Sequence, residues 1–313
     1  MRACALLLAA LLAVAGGTDP AAQVQPLRDK RLFRSGIEIT SITATVVTKD
    51  GRLVTGLSRD AFEVYEDGER QQVTQFTRDR VSIGLGVLLD VSDSMFGQRI
   101  QDARAAVERF LFELLDPADE FLLLAFNHKP QALTGWTNQQ DIVRVREALE
   151  GLRPSGGTAI YDAVASALPF LGSRSRERGA ILIISDGADT ASNVTLREVR
   201  STLSRSDAFV YAIAIDSPER LAINTRVNPT MLREITDDSG GRTEIVQNSA
   251  GLVAAMVRIG EELNSQYVLG YTSPRGADGR YHSIRVRVHG SDYLVRARKG
   301  YVADPLPARN NKR

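Results

Sequence analysis

The chain has 313 residues and a formal net charge of +1, with 39 Lys and Arg against 38 Asp and Glu. Such a balance provides no basic footprint for a phosphate backbone, so the sequence does not predict a nucleic-acid partner. Hydrophobic residues make up 43% of the chain, as in ordinary globular proteins, and the length allows one large domain with a smaller one, or two modest domains.

The N-terminus has the pattern of an export signal. Arg2 precedes the apolar run ACALLLAALLAVA, which ends in small residues. This pattern predicts a signal peptide over 1–17, cleaved near Ala15, and a periplasmic or secreted protein. A buried N-terminal helix is the alternative. The run is too short to span a membrane, and no later apolar stretch is long enough to do so. The single cysteine, Cys4, would be removed with the signal peptide.

A polar linker is expected over 18–34, followed by a β segment over 35–79. The stretches IEITSITATVV and FEVYEDGERQQVTQF alternate apolar and polar residues, as half-buried strands do. Asp50-Gly51 and Asp67-Gly68 are turn signals, and Asp-Gly between alternating stretches favours a tight hairpin.

Strands and helices alternate over 80–265. The apolar runs GLGVLLD, EFLLLAFN, GAILIIS and DAFVYAIAID are separated by stretches with helical periodicity, of which the last is AGLVAAMVRIGEEL. Continuous apolar strands between amphipathic helices predict an α/β fold with a doubly wound, mostly parallel sheet covered by helices on both faces.

Strand patterns return over 266–303, before a tail over 304–313 that is expected to be disordered. We expect this C-terminal β segment and the N-terminal one to pack as a small β-sandwich. Its strands carry a group of basic residues: Arg285, Arg287, Arg296, Arg298 and Lys299. A solvated surface is the ordinary interpretation of this group, and a site for an acidic cell-surface polymer is the alternative.

Three polar clusters follow predicted strands or begin predicted helices. Asp90, Ser92 and Ser94 end the first apolar run, Thr158 follows two glycines before a helix, and Asp186 follows another buried strand. Ligands of a doubly wound sheet bind at the carboxyl ends of its strands. All five side chains are oxygen donors, which suits Mg²⁺, and also Mn²⁺ or Ca²⁺, but not zinc.

The combination D-x-S-x-S, a threonine after Gly-Gly, and S-D-G resembles the metal-ion-dependent adhesion site (MIDAS) of von Willebrand factor type A (VWA) domains. The resemblance covers about residues 80–265. It implies that Ser92, Ser94 and Thr158 bind the ion directly, and that Asp90 and Asp186 act directly or through water. It also implies one antiparallel edge strand, which PQALTGW would supply, and a last helix that shifts on ligand binding in some relatives. The flanking strands resemble those of bacterial exported members.

Hydroxyl ligands are neutral, so they leave most of the charge of a cation uncompensated. Water, or an Asp or Glu carboxylate of another protein, can fill the remaining position. The two aspartates of the set are expected to lie at an edge of the sheet and not in the core. Asp93 and Asp189 are expected to be exposed, and Asp162 to lie on a helix surface or behind the site.

An enzyme would need a catalytic group that the motif does not offer. The segment DVSDS lacks the glycines of G-x-S-x-G, and Ser92 stands where a phosphatase of the haloacid dehalogenase type would have a second aspartate. His128 is the one histidine expected near the site. The sequence therefore predicts a non-enzymatic, metal-dependent protein-binding module of the adhesion type. A metal-dependent hydrolase or phosphatase using the same strand end, and a purely structural envelope protein, remain as alternatives.

Overall fold

The computed structural model describes residues 39–186, 188–215, 229–290 and 292–303. The signal peptide, the linker and the tail predicted from the sequence lie outside the described residues. The strands are β1 (Ile39–Thr48), β2 (Phe62–Glu66), β3 (Glu69–Gln71), β4 (Gln75–Thr77), β5 (Ile83–Asp90), β6 (Glu120–Phe126), β7 (Pro130–Ala132), β8 (Arg178–Ser185), β9 (Phe209–Ile215), β10 (Thr243–Val246), β11 (Tyr267–Thr272), β12 (Tyr281–Val288), β13 (Tyr293–Ala297) and β14 (Gly300–Val302).

The α-helices are α1 (Gln98–Arg109), α2 (Ile142–Gly151), α3 (Ile160–Gly172), α4 (Leu196–Leu203), α5 (Pro229–Ser239) and α6 (Ser249–Asn264). A π-helical turn, Phe110–Leu114, continues α1, and short 3-10 turns lie at Arg59–Ala61, Asp93–Met95 and Gln139–Asp141. None of the helices in the described ranges is long and apolar enough to cross a membrane.

Six strands form the central sheet, in the order β10-β9-β8-β5-β6-β7. Neighbouring strands are parallel except for β7, which runs antiparallel to β6 at one edge. Every residue of β5, β6, β8 and β9 is buried, which explains why these strands are continuous apolar runs. The predicted fold, including its antiparallel edge strand, is confirmed.

Helices cover both faces of this sheet. Buried side chains of α1, α2 and α6 pack on one face, and those of α3, α4 and α5 pack on the other. The apolar residues of each helix recur with helical spacing, so each helix presents one face to the sheet. The candidate site lies at the carboxyl ends of the parallel strands.

The flanking strands form two further four-stranded sheets, in the orders β13-β1-β11-β4 and β14-β12-β2-β3. Each sheet combines strands from both ends of the described chain, because β1 pairs with β11 and β13, and β2 pairs with β12. Ile42, Phe62 and Tyr267 belong to the apolar core that the two sheets share. The hairpin between β2 and β3 turns at Asp67 and Gly68, whose φ angles are 50° and 84°, as in a type I′ turn.

A buried carboxylate joins the flanking strands to the last helix of the α/β domain. Glu262 of α6 is 1% exposed. It accepts hydrogen bonds from Arg296 Nη2 of β13 at 2.7 Å and from Tyr211 Oη of β9 at 3.0 Å, and Arg242 Nε lies 3.2 Å away. A buried charge is tolerated when it is paired and hydrogen-bonded, so this network holds the end of α6 against both parts of the fold.

Candidate metal site

The site begins at the carboxyl ends of two neighbouring strands. Leu89 of β5 lies opposite Ile184 of β8, so Asp90, the last residue of β5, and Asp186, the first residue after β8, lie one residue apart in level at the same end of the sheet. Asp90 is fully buried. Its Oδ1 accepts from the Ser92 amide at 2.8 Å, and its Oδ2 accepts from the Ser185 hydroxyl at 2.5 Å. These contacts fix the Asp90 carboxylate between the two strand ends.

Hydroxyl groups connect the two acidic side chains. Ser92 Oγ lies 3.0 Å from Ser94 Oγ, and Ser94 Oγ donates to Asp186 Oδ1 at 2.5 Å. The 3-10 turn Asp93–Met95 brings both serines to the same side. Hydrogen bonds thus join four of the five predicted site residues in one chain: Asp90, Ser92, Ser94 and Asp186.

The fifth residue, Thr158, lies in the loop before α3, and that loop contacts the serine turn. The amide of Asp93 donates to Gly156 O at 3.0 Å, and the amide of Ser155 donates to Val91 O at 2.9 Å. Gly156 has a φ of +74°, and a Cβ there would lie 2.8 Å from His128 Nδ1. Glycine suits this position for two reasons: it tolerates the positive φ, and it leaves room for the nearby His128 ring.

Burial raises the pKa of both carboxyl groups. The pKa of Asp90 rises from 3.8 to about 7, mainly through desolvation, and the hydrogen bonds from Ser185 and Ser92 oppose that rise. Desolvation also raises the pKa of Asp186, against the effects of Ser94 and Arg99. Both groups lie at the ends of strands as expected, but the expectation that they lie outside the interior is wrong, since both residues are buried.

The donor set fits a hard divalent cation. Two desolvated carboxylates and the hydroxyls beside them are oxygen ligands, and a cation would offset the cost of burying the two negative charges. Within the described ranges, no group of three or more His, Cys, Asp and Glu side chains could hold a metal. The candidate site has a different composition, because hydroxyls provide most of its potential ligands.

Arg99 is part of the site, although the motifs alone did not point to it. Its Nη1 lies 2.9 Å from Asp186 Oδ2 and donates to Ser94 O at 2.7 Å. The guanidinium therefore holds the second oxygen of a carboxylate whose first oxygen is bound by Ser94. The sequence feature that could have pointed to Arg99 is its position, because it is the first basic residue after the D-x-S-x-S motif.

The neighbouring polar residues organise the loops. Asp189 was expected to be exposed, but it is half-buried, because it accepts from the Tyr161 amide at 3.0 Å at the start of α3. Asp162 accepts from the Val194 amide at 3.0 Å, which fixes the segment before α4. Asp93 is exposed, as expected. His128 is exposed beside Gly156, so it does lie close to the loops of the site.

A doubly wound sheet with one antiparallel edge strand and paired aspartates at adjacent strand ends defines a class of α/β ligand-binding domains. Residues 85–188 match the family model described as von Willebrand factor type A domain. The segment that carries the predicted motifs therefore matches this family, as the resemblance implied. Domains of this family are generally non-enzymatic modules that mediate protein–protein interaction and adhesion.

Curated and solved proteins agree with this assignment. Inter-alpha-trypsin inhibitor heavy chain H4 from Homo sapiens is 25% identical over 66% of this chain, but that match is 23% of its own length. A von Willebrand factor type A structure from Catenulispora acidiphila has a TM-score of 0.52 and 13% identity, over 86% of this chain and 75% of that one. An aerotolerance-related membrane protein from Bacteroides fragilis has a TM-score of 0.50 and 22% identity, over 58% of this chain and 99% of that one. At these identities the two structures support the fold alone.

Proposed function

We propose that this protein is a metal-dependent binding module that captures an acidic side chain of another protein. The observation that carries the proposal is the pair of desolvated carboxylates, Asp90 and Asp186, joined through the hydroxyls of Ser92 and Ser94. Burying two acidic groups next to each other is costly, even though the Arg99 guanidinium pairs with Asp186. A stably folded domain keeps such a pair for a function that repays this cost.

Each predicted ligand has a defined role in the proposal. Ser92, Ser94 and Thr158 would provide neutral oxygen ligands, and Asp90 and Asp186 would provide negative charge. Mg²⁺ held by these residues, or Mn²⁺ or Ca²⁺ in its place, would supply the positive charge that attracts an Asp or Glu carboxylate of the partner. The fixed side chains determine where that carboxylate binds, because the surrounding loops hold them before the partner arrives.

Export belongs to the same proposal. Residues 1–17 have the composition of a signal peptide, and a periplasmic or secreted location would make divalent cations and surface partners available.

The enzyme alternative would need a proton acceptor at the site. Among the described residues around the site, His128 is the histidine close enough to consider for this role, and it is exposed next to a loop glycine. A hydrolase or phosphatase is therefore less well supported than a binding module. A purely structural envelope protein would have no use for the buried acidic pair.

A thermal melt of the protein in chelator, and then in millimolar Mg²⁺, Mn²⁺ or Ca²⁺, tests the metal site. A cation at about 100 times its dissociation constant adds roughly 2.7 kcal/mol, which corresponds to about 5–10 °C for a domain of this size. Asp186→Asn should abolish the shift. Asp60→Asn is the matched control, because its side chain is 86% exposed and pairs with the exposed Arg59. The metal site is refuted if none of the three ions shifts the melting temperature, or if Asp186→Asn responds as the wild type does.

A further inference from the structure

A second candidate binding site lies in the flanking sheets, at the cleft between β12 and β13. The cleft has a volume of about 760 Å³, and consecutive residues of both strands border it, Ile284–Arg287 on one side and Val295–Ala297 on the other. The end of α5 and the glycines after it close one wall through Asp237, Gly240 and Gly241. The cleft is therefore bounded by two strand edges and by part of the α/β domain.

The basic residues noted in the sequence all line this one cleft: Arg285, Arg287, Arg296, Arg298 and Lys299. Two of them are neutralised, because Arg296 pairs with Glu262 at 2.7 Å and Lys299 pairs with Asp238 at 3.2 Å. Asp237 is the acidic residue in the lining. The cleft therefore retains an excess of positive charge.

The other three guanidinium groups have no carboxylate at ion-pair distance in the described part of the chain. Arg285 is exposed, and Arg287 lies over the ring of Tyr65, with 5.3 Å between its Cζ and the ring centroid. Arg298 donates to the main-chain oxygens of Gly300 and Ser204. A carboxylate on a ligand could therefore pair with Arg285 and Arg287 without displacing an existing ion pair.

The floor of the cleft is apolar. Val286, Val295 and Ala297 are half-buried and pack against the margin of the sandwich core, next to buried Ile284. An apolar group of a ligand would cover these side chains further. Removing apolar surface from water is favourable by about 25 cal/mol per Å². The ligand that suits the cleft is consequently both acidic and apolar.

Both bordering strands have partly free edges, since the Ile284 amide at the start of the open stretch of β12 already donates to Lys299 O at 2.7 Å. β13 is the terminal strand of its sheet and pairs with β1 alone, and β12 pairs with β14 only over Tyr281–Ser283. Beyond that point, no described strand pairs with the edge of β12 opposite β2. Free strand edges present unpaired N–H and C=O groups, to which an extended peptide can add as a further strand.

We propose that this cleft binds an extended segment of a partner protein in which acidic and apolar residues alternate. Main-chain hydrogen bonds to a strand edge, apolar contacts to Val286 and Val295, and ion pairs with Arg285 and Arg287 would act together. The terminal segments of this chain suit the cleft less well. Residues 18–38 contain four basic and three acidic residues, and residues 304–313 contain three basic and one acidic residue. An acidic polysaccharide would pair with the arginines but would leave the apolar floor uncovered.

Fluorescence anisotropy with a labelled short peptide of alternating Glu and Val tests the proposal on the full chain. Chelator is present throughout, so the result does not depend on the metal site. We expect salt-sensitive binding that weakens about tenfold or more in the double variant Arg285→Glu/Arg287→Glu. The matched control, Arg59→Glu/Arg144→Glu, changes two exposed arginines outside the cleft lining and should bind within about twofold of the wild type.

Comparison peptides separate the proposed ligand from other acidic molecules. A peptide of the same composition with Glu and Val in separate blocks, and one with Lys in place of Glu, should bind much more weakly. Hydrogen exchange should slow at amides of β12 or β13 when the alternating peptide is added. The proposal is overturned if the alternating peptide does not bind, if the block peptide binds equally well, or if a sulfated polysaccharide binds and the peptide does not.

Discussion

Replacing Asp90 by asparagine is expected to stabilise this protein at neutral pH when divalent cations are absent. The Asp90 carboxyl is fully buried, and desolvation raises its pKa from 3.8 to about 7. Asparagine has the same shape. Its oxygen can still accept from the Ser92 amide, and its NH₂ group can donate to the Ser185 hydroxyl. The substitution therefore removes the cost of the acid while it keeps the local contacts.

The size of the effect follows from the two pKa values. Below about pH 4 the carboxyl is protonated in both the folded and the unfolded state, so its burial lowers the free energy of unfolding only a little. Between about pH 4 and pH 7 the unfolded chain loses the proton and the folded chain keeps it, so stability falls as pH rises. A difference of about three pKa units between the folded and unfolded states lowers the free energy of unfolding by about 4 kcal/mol at pH 7.5 and by about 1 kcal/mol at pH 4.5.

Urea unfolding in chelator at these two pH values measures the effect. Asp90→Asn should be more stable than the wild type at pH 7.5, and the difference should shrink by about 3 kcal/mol at pH 4.5. Adding Mg²⁺ at pH 7.5 should stabilise only the wild type, because the variant has lost a charge of the proposed site. An equal difference at both pH values, or a destabilised variant at pH 7.5, would refute the reasoning about Asp90.

Two further predictions concern Arg99 and Glu262. Arg99 Nη1 holds Asp186 Oδ2 at 2.9 Å, so Arg99 and a metal ion would compete for this carboxylate. Arg99→Gln should raise the affinity for Mn²⁺ about tenfold in calorimetric titrations and lower the free energy of unfolding in chelator by about 1–3 kcal/mol. An unchanged affinity would contradict this competition. Glu262→Ala should lower the free energy of unfolding in urea by about 3–5 kcal/mol, because Arg296 loses its carboxylate and Arg242 keeps only its contact with Glu244 among the described residues. The exposed neighbour, Glu261→Ala, should stay within about 0.5 kcal/mol of the wild type, and equal losses in the two variants would count against the buried network.

Local patterns in the chain were sufficient to predict the α/β core. Four continuous apolar runs predicted buried parallel strands, and the structure places β5, β6, β8 and β9 there with every residue buried. The motifs at Asp90 and Asp186 indicated strand ends, and the parallel register of β5 and β8 brings those ends together. These features are predictable because side-chain periodicity and strand direction are set by residues close together in the sequence.

Features that depend on distant residues required the tertiary structure. The sequence did not show that Asp90 is completely buried, because its burial depends on residues distant in the chain, such as Ser185, which donates to its carboxyl group. Arg99 has no motif of its own and acquires its role through Asp186, 87 positions further along the chain. The sequence also did not show that β12 and β13 would leave an open, basic cleft, since which strands pair depends on the whole sandwich. Local sequence thus determines the elements and the chemistry at their ends, whereas long-range packing determines which charges meet, which are buried and which stay open to a partner.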